Sequence, residues 1–587
     1  VELKLVTPPE RYLPMERDAK GYWSTVADRV PPGARYLFRL DNGKELPDPA
    51  SLFQPDGVHA PSQVVDHAAF SWDDAGWRGM VLAETVIYEL HVGTFTPEGT
   101  FDGVIRRLGR LKELGITALE LMPVAQFPGK RNWGYDGVYP YSVHHAYGGP
   151  DGLKRLVNAC HREGLAVVLD VVYNHLGPEG NYLGEYGPYF TDRYRTPWGE
   201  AMNFDGSGSN EVRNYFIGNA LHWFRDYRLD ALRLDAVQWI ENRGARPFLK
   251  ELSRRVEEFS FNTGKKLFLM AESDRNDAGI ITRPEIGGLG LDALWCDDFH
   301  HALHALLTGE RDGYYRDYGR LGHLAKSLRE GFVYSGQFSP YRGRNHGASS
   351  KGVPAERFVV FVQNHDQTGN RMHGERLSRL VSFESLKLAA GVLLLSPYLP
   401  LLFMGEEYGE DAPFLYCVDH SDARLVEAVR KGRREEFEAF GAGGEPPDPA
   451  LDEAFLASKI GWEKREQGNH RILLALYSQL LQWRRDIPCL SHRDNENLDA
   501  FGHEDDGVLF LHRWCEEDRI CCVFNFSREE RDIHGLPVEG EWLRLIDSAD
   551  ATWNGPGTLL PERNRGKGTL TVRGESFALF HGEGDAR

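Results

Sequence analysis

Long apolar runs are missing: no stretch of the 587 residues reaches membrane-spanning length, which excludes a helical transmembrane span. The first residues, Val-Glu-Leu-Lys-Leu, lack the profile of a secretory signal and already read as strand. The chain opens with Val, not Met, so upstream strands of the first domain are expected to be missing. Cysteine is scarce. The seven thiols, at 160, 296, 417, 489, 515, 521 and 522, are odd in number and have neither disulfide-framework nor zinc-site spacing. Reduced thiols in a cytoplasmic protein are the plain reading. Basic charge is also short, with 68 Lys and Arg against 87 Asp and Glu, a formal net charge of −19. Nonspecific binding to nucleic acid or to anionic membrane leans on clustered Lys and Arg, so the balance argues against both and for a neutral substrate. No sequence repeat and no low-complexity tract occurs, which removes solenoids and propellers.

What the chain has is length and aromatic surface. At 587 residues it exceeds one ordinary domain, and about two to four domains are the prior. Its 13 Trp, 24 Tyr and 31 Phe suit a large core and would equally supply flat faces for sugar rings to stack on.

Residues 1–83 carry short alternating runs, such as Gly33 to Leu40, broken by Pro and Gly, and predict an N-terminal β-sandwich. From 84 to 488 strand-like apolar runs alternate with helix-length amphipathic stretches, the pattern of βαβ units. Candidate strands are Val86–His91, Ala118–Pro123, Leu165–Val172, Ala231–Asp235, Lys266–Glu272, Ala293–Trp295, Phe358–Gln363 and Pro400–Met404. Eight strands with intervening helices imply an α/β fold, a closed (β/α)8 barrel. Helices are predicted at Phe101–Leu114, Gly152–Glu163, Val212–Tyr227 and Pro247–Phe259, and long loops at Gly180–Asp205 and Ser339–Lys351. Past a Gly/Pro-rich linker at Gly441–Pro449, a helix over His470–Arg485 leads to alternating segments, Val508–His512 and Ile520–Asn525. These predict a small C-terminal β-domain over 489–587.

Four polar clusters fall at the carboxyl ends of four predicted barrel strands, where this architecture places active sites: Asp170 to His175, Arg233-Leu-Asp235, Ala271-Glu272 and Gln363 to Asp366. Any one alone could be a helix cap or an ion pair. Four together at one face are not explained by capping. Arg233 and Asp235 stand two apart on a strand and share a face, so the guanidinium should keep Asp235 ionised, as a nucleophile requires. Glu272 ends an almost wholly apolar strand, where desolvation favours the protonated carboxyl of a general acid. One ionised and one protonated carboxyl across a bond is the glycosidase arrangement, and Asp366 is placed to hold ring hydroxyls in the transition state. His365, His175 and Asp170 supply further donors and acceptors. Oxygen ligands at Asn174 and Asp170 would suit calcium, but no EF-hand-like run or second acidic cluster accompanies them. No metal and no cofactor is expected.

At these residues the chain resembles the α-amylase family over about Val86 to Gly409, in DVVYNH (170–175), LRLDAV (232–237), FLMAES (268–273) and QNHD (363–366). The resemblance implies Asp235 as nucleophile, Glu272 as general acid/base, Asp366 as transition-state stabiliser, and Arg233, His175, His365 and Asp170 in supporting positions. A narrower similarity, in 133–153, 363–377 and 404–437, is to the maltooligosyltrehalose trehalohydrolase branch of that family. It implies maltooligosyl trehalose as substrate, cleavage of its α-1,4 bond next to the terminal trehalose, and Arg371 among the substrate contacts. The runner-up is a glucan branching enzyme with the same trio, and a rival of another class is a silent glucan-binding scaffold. Two departures stand out: Gln238, three past the nucleophile, where many relatives carry a basic residue toward the leaving sugar, and Cys417, where an aromatic is expected. Tyr135 and Trp133 read as sugar-stacking residues, with core packing the alternative. The run Arg430 to Glu436 reads as a solvated helix face, and Asp411 and Asp419 receive no role.

Overall fold

Eight short apolar segments, each inward-facing at every second residue, build the centre of the molecule. The computed structural model describes all residues except 8, 440–443, 493–494, 539 and 584–587. Strands β1 (Ile87–Leu90), β2 (Ala118–Leu121), β3 (Ala166–Val171), β4 (Ala231–Leu234), β5 (Phe268–Ala271), β6 (Ala293–Trp295), β7 (Phe358–Phe361) and β8 (Leu399–Phe403) follow one another around the barrel. Every pairing is parallel, and β8 returns to β1 to close the ring. Each lies within or against the corresponding predicted segment.

The inward side chains form layers. Ile87, Ala118, Val168, Ala231, Met270, Trp295, Phe361 and Leu401 belong to one buried cluster, with Met80 in it and Trp77 and Leu82 packed against it. Two residues further along β1 to β4, the period of a strand puts Glu89, Glu120, Asp170 and Arg233 on the same face. All four are buried. The bore is thus apolar at its amino end and charged at its carboxyl end, directly beneath the strand-end residues.

Helices cover the outside. Gly149–Glu163 has Pro150 in its first turn, buries Leu153, Leu156, Val157 and Cys160 at three- and four-residue spacing, and stops at Gly164, where φ is 78°. Ser209–Asp226 and Phe248–Thr263 overlap the predicted helices, each shifted or lengthened by a few residues, and the second also stops at a left-handed glycine, Gly264. The predicted helix Phe101–Leu114 is instead two pieces, Phe101–Ile105 and Leu108–Leu114.

Sheets flank the barrel at both ends of the chain. Residues 2–63 contribute a five-stranded antiparallel sheet and a two-stranded ribbon, Glu16–Arg17 with Trp23–Ser24. Residues 498–583 contribute a six-stranded antiparallel sheet and a ribbon, Arg531–His534 with Thr569–Val572. Buried Lys387, on the helix Phe383–Leu395, donates to the carbonyls of Ser548 (2.6 Å) and Trp553 (3.0 Å) and so ties the C-terminal sheet to the barrel. At the other end buried Glu179 joins His59 (3.3 Å), His420 (3.1 Å) and the Ser421 amide (2.9 Å).

Two predicted loops are more ordered than expected. Gly180–Asp205 contains a short helix, Leu183–Tyr186, and a hairpin of Phe190–Thr196 with Gly199–Met202. Its turn, Thr196-Pro-Trp-Gly199, uses Pro for fixed φ and a glycine at φ 122°, a turn chemistry that outweighs the low strand content of the stretch. Ser339–Lys351 likewise opens on a small hairpin, Phe338–Ser339 with Arg344–Asn345. Of the predicted linker Gly441–Pro449, residues 441–443 lie outside the described residues, and 444–449 contain no helix or strand.

Candidate active site

Charge in the upper bore organises the site from below. Arg233, its side chain fully buried on β4, places Nη1 2.6 Å from Asp170 Oδ2 and 2.9 Å from Asp235 Oδ1, and Nη2 3.6 Å from Glu272 Oε2. The Trp295 ring lies 4.4 Å from the guanidinium carbon. Three carboxylates hold the Arg233 pKa well above its ordinary value despite burial.

Asp235 follows β4, and donors reach both of its oxygens: Arg233 at Oδ1 and the Asn174 amide at Oδ2 (2.8 Å). Asn174 also binds the Asp235 carbonyl at 2.8 Å. Glu272 follows β5 and accepts one backbone N–H, from Ala236 at 2.6 Å. Ala236 has φ 42°, an uncommon left-handed conformation for a residue with Cβ, in the turn that follows Asp235 and aims its N–H at Glu272. Burial, reinforced by the negative charges of Asp235, Asp297 and Asp366, pushes the Glu272 carboxyl well above the usual carboxylate range against the pull of Arg233. Asp170 is raised to about 6 by burial, with Arg233 opposing.

Asp366, in the first turn after β7, is the most open of the trio, with its side chain 40% exposed. It accepts from Asn370 Nδ2 at 3.2 Å and lies 3.5 Å from His365 Nε2. His365 is held from below by Glu89, which accepts its backbone N–H at 2.9 Å and approaches Nδ1 at 2.5 Å. The Tyr135 hydroxyl reaches Asp170 Oδ2 (2.6 Å) and His365 Nε2 (2.7 Å), and its half-buried ring stacks on the imidazole at 5.2 Å. His175 lies 3.0 Å from the Tyr135 carbonyl through Nε2, bonds Asn174 through Nδ1, and stacks on Trp198 at 4.4 Å.

The structure therefore brings Asp235, Glu272, Asp366, Arg233, Asp170, His175, His365 and Tyr135 together. Three other predicted contacts stand differently. Trp133 is 3% exposed, stacks on Phe414 at 5.1 Å and donates its indole N–H to the Leu415 carbonyl at 2.9 Å. That is core packing, so the sugar-stacking expectation for Trp133 is corrected. Arg371 is committed to a two-point ion pair with Glu310 (2.8 and 3.0 Å). Gln238 binds Arg275 through its carbonyl at 2.6 Å, while its side-chain oxygen is buried without a partner among the described residues. The charged run is not uniformly solvated either. Arg433 lies over Tyr416 and Phe437 and donates to the Gly369 carbonyl (3.2 Å), and Arg430 pairs with Asp448 (2.7 Å). Asp411 is anchored by Lys464 and Arg379, Asp419 by Arg131.

Four residues escaped sequence reasoning. Asn174 was weighed only as a metal ligand, yet it is a donor to Asp235. Asp297, just past β6, is pushed up to about 8 by burial and by Asp274 and Asp366. Glu89 and Trp198 were not singled out. For Glu89 and Asp297 a signal existed, since both are carboxylates at or just past the end of a barrel strand. For Trp198 none did, because it sits on a hairpin the sequence reads as loop.

The Alpha amylase, catalytic domain family model matches residues 60–197. The chain is 48% identical over 479 residues to a malto-oligosyltrehalose trehalohydrolase of Saccharolobus solfataricus, covering 82% of each protein. It is 45% identical over 535 residues to the enzyme of the same description from a Rhizobium species, covering 89% of each. Among solved structures it superposes, with a TM-score of 0.88 and 38% identity, on a candidate alpha amylase from Salmonella typhimurium, covering 99% of this chain and 96% of that one.

Proposed function

The chain belongs to the malto-oligosyltrehalose trehalohydrolases of the α-amylase family, and from that premise we propose how its site performs the hydrolysis. The substrate is maltooligosyl trehalose, and the bond cut is the α-1,4 link next to the terminal trehalose. Glu272, protonated, gives its proton to the bridging oxygen. An oxygen of Asp235 bonds to the anomeric carbon as trehalose leaves, forming a β-glycosyl ester. Glu272, now a carboxylate, takes a proton from water, whose oxygen opens the ester and releases a maltooligosaccharide of retained configuration. Asp366 holds ring hydroxyls while the sugar flattens toward an oxocarbenium ion, and no cofactor takes part.

The observation that carries this reading is the reach of one guanidinium. Arg233 touches Asp235 and stands near Glu272, which supports the close pair of carboxyls that retention uses. Donors on both oxygens of Asp235 hold the carboxyl in place for attack, and burial keeps Glu272 raised toward its acid form. Tyr135 closes the floor beside them, with Asp170, His175 and His365 fixing its position.

We also read three domains, 1–83, 84–488 and 489–587, supported by the sheets at either side of the barrel. A cytoplasmic site of action is supported by unbridged buried thiols at Cys160, Cys296, Cys417, Cys489, Cys521 and Cys522.

The test incubates the purified chain with maltotriosyl trehalose and, separately, with maltopentaose. Free trehalose and maltotriose from the first, with little cleavage of the second, is expected. Cleavage or branching of maltopentaose without trehalose release would overturn the substrate assignment. An inert chain, matched by an equally inert Asp235→Ala variant that still binds glucan, would make it a scaffold.

A further inference from the structure

Two acids in the bore are left unused by this mechanism. Glu89 on β1 and Glu120 on β2 are register partners, so their side chains enter the barrel at the same level. Both are 1% exposed. Glu89 is satisfied, by the His365 backbone N–H at one oxygen and His365 Nδ1 at the other. Glu120 is not: among the described residues neither of its oxygens meets a hydrogen-bond partner. The charged groups facing it are Glu89, Asp170, Arg233 and His365. Of the cations, Arg233 Nη1 is already given to Asp170 and Asp235, and His365 Nδ1 to Glu89. Two adjacent carboxylates buried in the bore do not both ionise without large cost, and the one with donors is the one that keeps the charge.

Hydrogen-bond polarity carries that charge state to the site. The single Tyr135 hydroxyl proton goes to Asp170 Oδ2, which leaves the Tyr135 oxygen to accept from His365 Nε2. An ionised Glu89 likewise requires a proton on Nδ1. Both ring nitrogens donate only in the imidazolium. Burial and the nearby Arg233 work against that cation, but the carboxylates of Asp366 and Glu89 outweigh them and raise His365 to about 9.

We propose that Glu89 and Glu120 form a pair carrying one negative charge, with Glu120 the neutral acid, and that this charge keeps His365 an imidazolium beneath Asp366. Glu89 is then a positioning residue, acting on Asp366 and Tyr135 through His365. The inference rests on the role proposed above for Asp366.

The test uses the full chain and the Glu89→Gln, Glu89→Asp and Glu120→Gln variants. The charge on His365 is read directly from the titration of histidine 13Cε1 signals, its own signal assigned by its loss in His365→Gln. Glu89→Gln should lower the His365 pKa by roughly two units and kcat by on the order of 10-fold or more, with KM changed less than about threefold. Glu89→Asp should recover part of both. Glu120→Gln, an imitation of the protonated acid, should leave the His365 titration within about 0.3 unit of the parent. A His365 titration unmoved in Glu89→Gln, or moved as far by Glu120→Gln as by Glu89→Gln, overturns the pair. If Glu89→Gln does not fold, Glu89→Asp and Glu120→Gln decide by the same titration. Failure of the functional reading would show separately, as wild-type chain that titrates as described but releases no trehalose.

Discussion

The β3–β4 side of the site and the β5–β7 side hold carboxylates around one guanidinium in opposite company. On the first, Asp235 takes donors on both oxygens, from Arg233 and Asn174, and Asp170 shares the same guanidinium. On the second, Glu272 has one backbone N–H and faces the charges of Asp297 and Asp366, while Asp297 faces Asp274 and Asp366 in turn. Asp170 and Asp235 are buried and Glu272 is 14% exposed, while Asp366 stands open at 40%. What differs is the number of donors aimed at each carboxyl, and that follows from which strand carries Arg233.

The comparison breaks most sharply at its ionised end. Asp235→Asn keeps the shape and removes the nucleophilic charge, and kcat for trehalose release should fall on the order of 10⁴-fold or more in steady-state assays. A loss of tenfold or less would take the nucleophile's role from Asp235. Arg233→Met strips Asp170 and Asp235 of their shared cation, and denaturant unfolding should show a loss of about 3–5 kcal/mol. Unchanged stability would mean that the two carboxylates do not depend on that charge.

Tyr135→Phe deletes the hydroxyl between Asp170 and His365, and kcat/KM should drop roughly 10- to 100-fold, the usual range for a hydrogen bond to a charged group. The acidic end is sharpened by Asp297→Asn. Asp297, raised to about 8, becomes charged on the alkaline side and there opposes ionisation of Glu272, so removing that charge should move the alkaline limb of the pH–rate profile to lower pH. A limb that stays in place would remove Asp297 from the set that keeps Glu272 protonated.

The smallest effect lies at the rim. Burial would raise Glu310, but His304 and Arg371 outweigh it and lower it to about 2. A depressed carboxylate contributes stability above its unfolded pKa of about 4.3 and loses it as pH falls through the folded value. Thermal melts of Glu310→Gln and parent should therefore differ at neutral pH and converge toward pH 2.

Barrel strands were readable because each is a run of alternating inward and outward apolar residues bounded by turn formers, and Glu272 and Asp235 were readable because they end such runs. Trp133 misled because an aromatic beside Tyr135 looks the same in sequence whether it faces solvent or Phe414. Arg371 was placed in the site without Glu310, 61 residues earlier, to which it is paired. The hairpin carrying Trp198 was invisible, since its order comes from a Pro-Trp-Gly turn rather than from apolar alternation.

By itself, then, the sequence determined the barrel, the strand order and the face on which the catalytic carboxylates would meet, because periodicity and position along a strand are local properties. Only the tertiary structure decided which carboxylates share Arg233, which acid is left without a donor, and which aromatic is core. Those depend on neighbours from strands tens to hundreds of residues apart, and in a buried bore it is these neighbours, not residue type, that set where the protons reside.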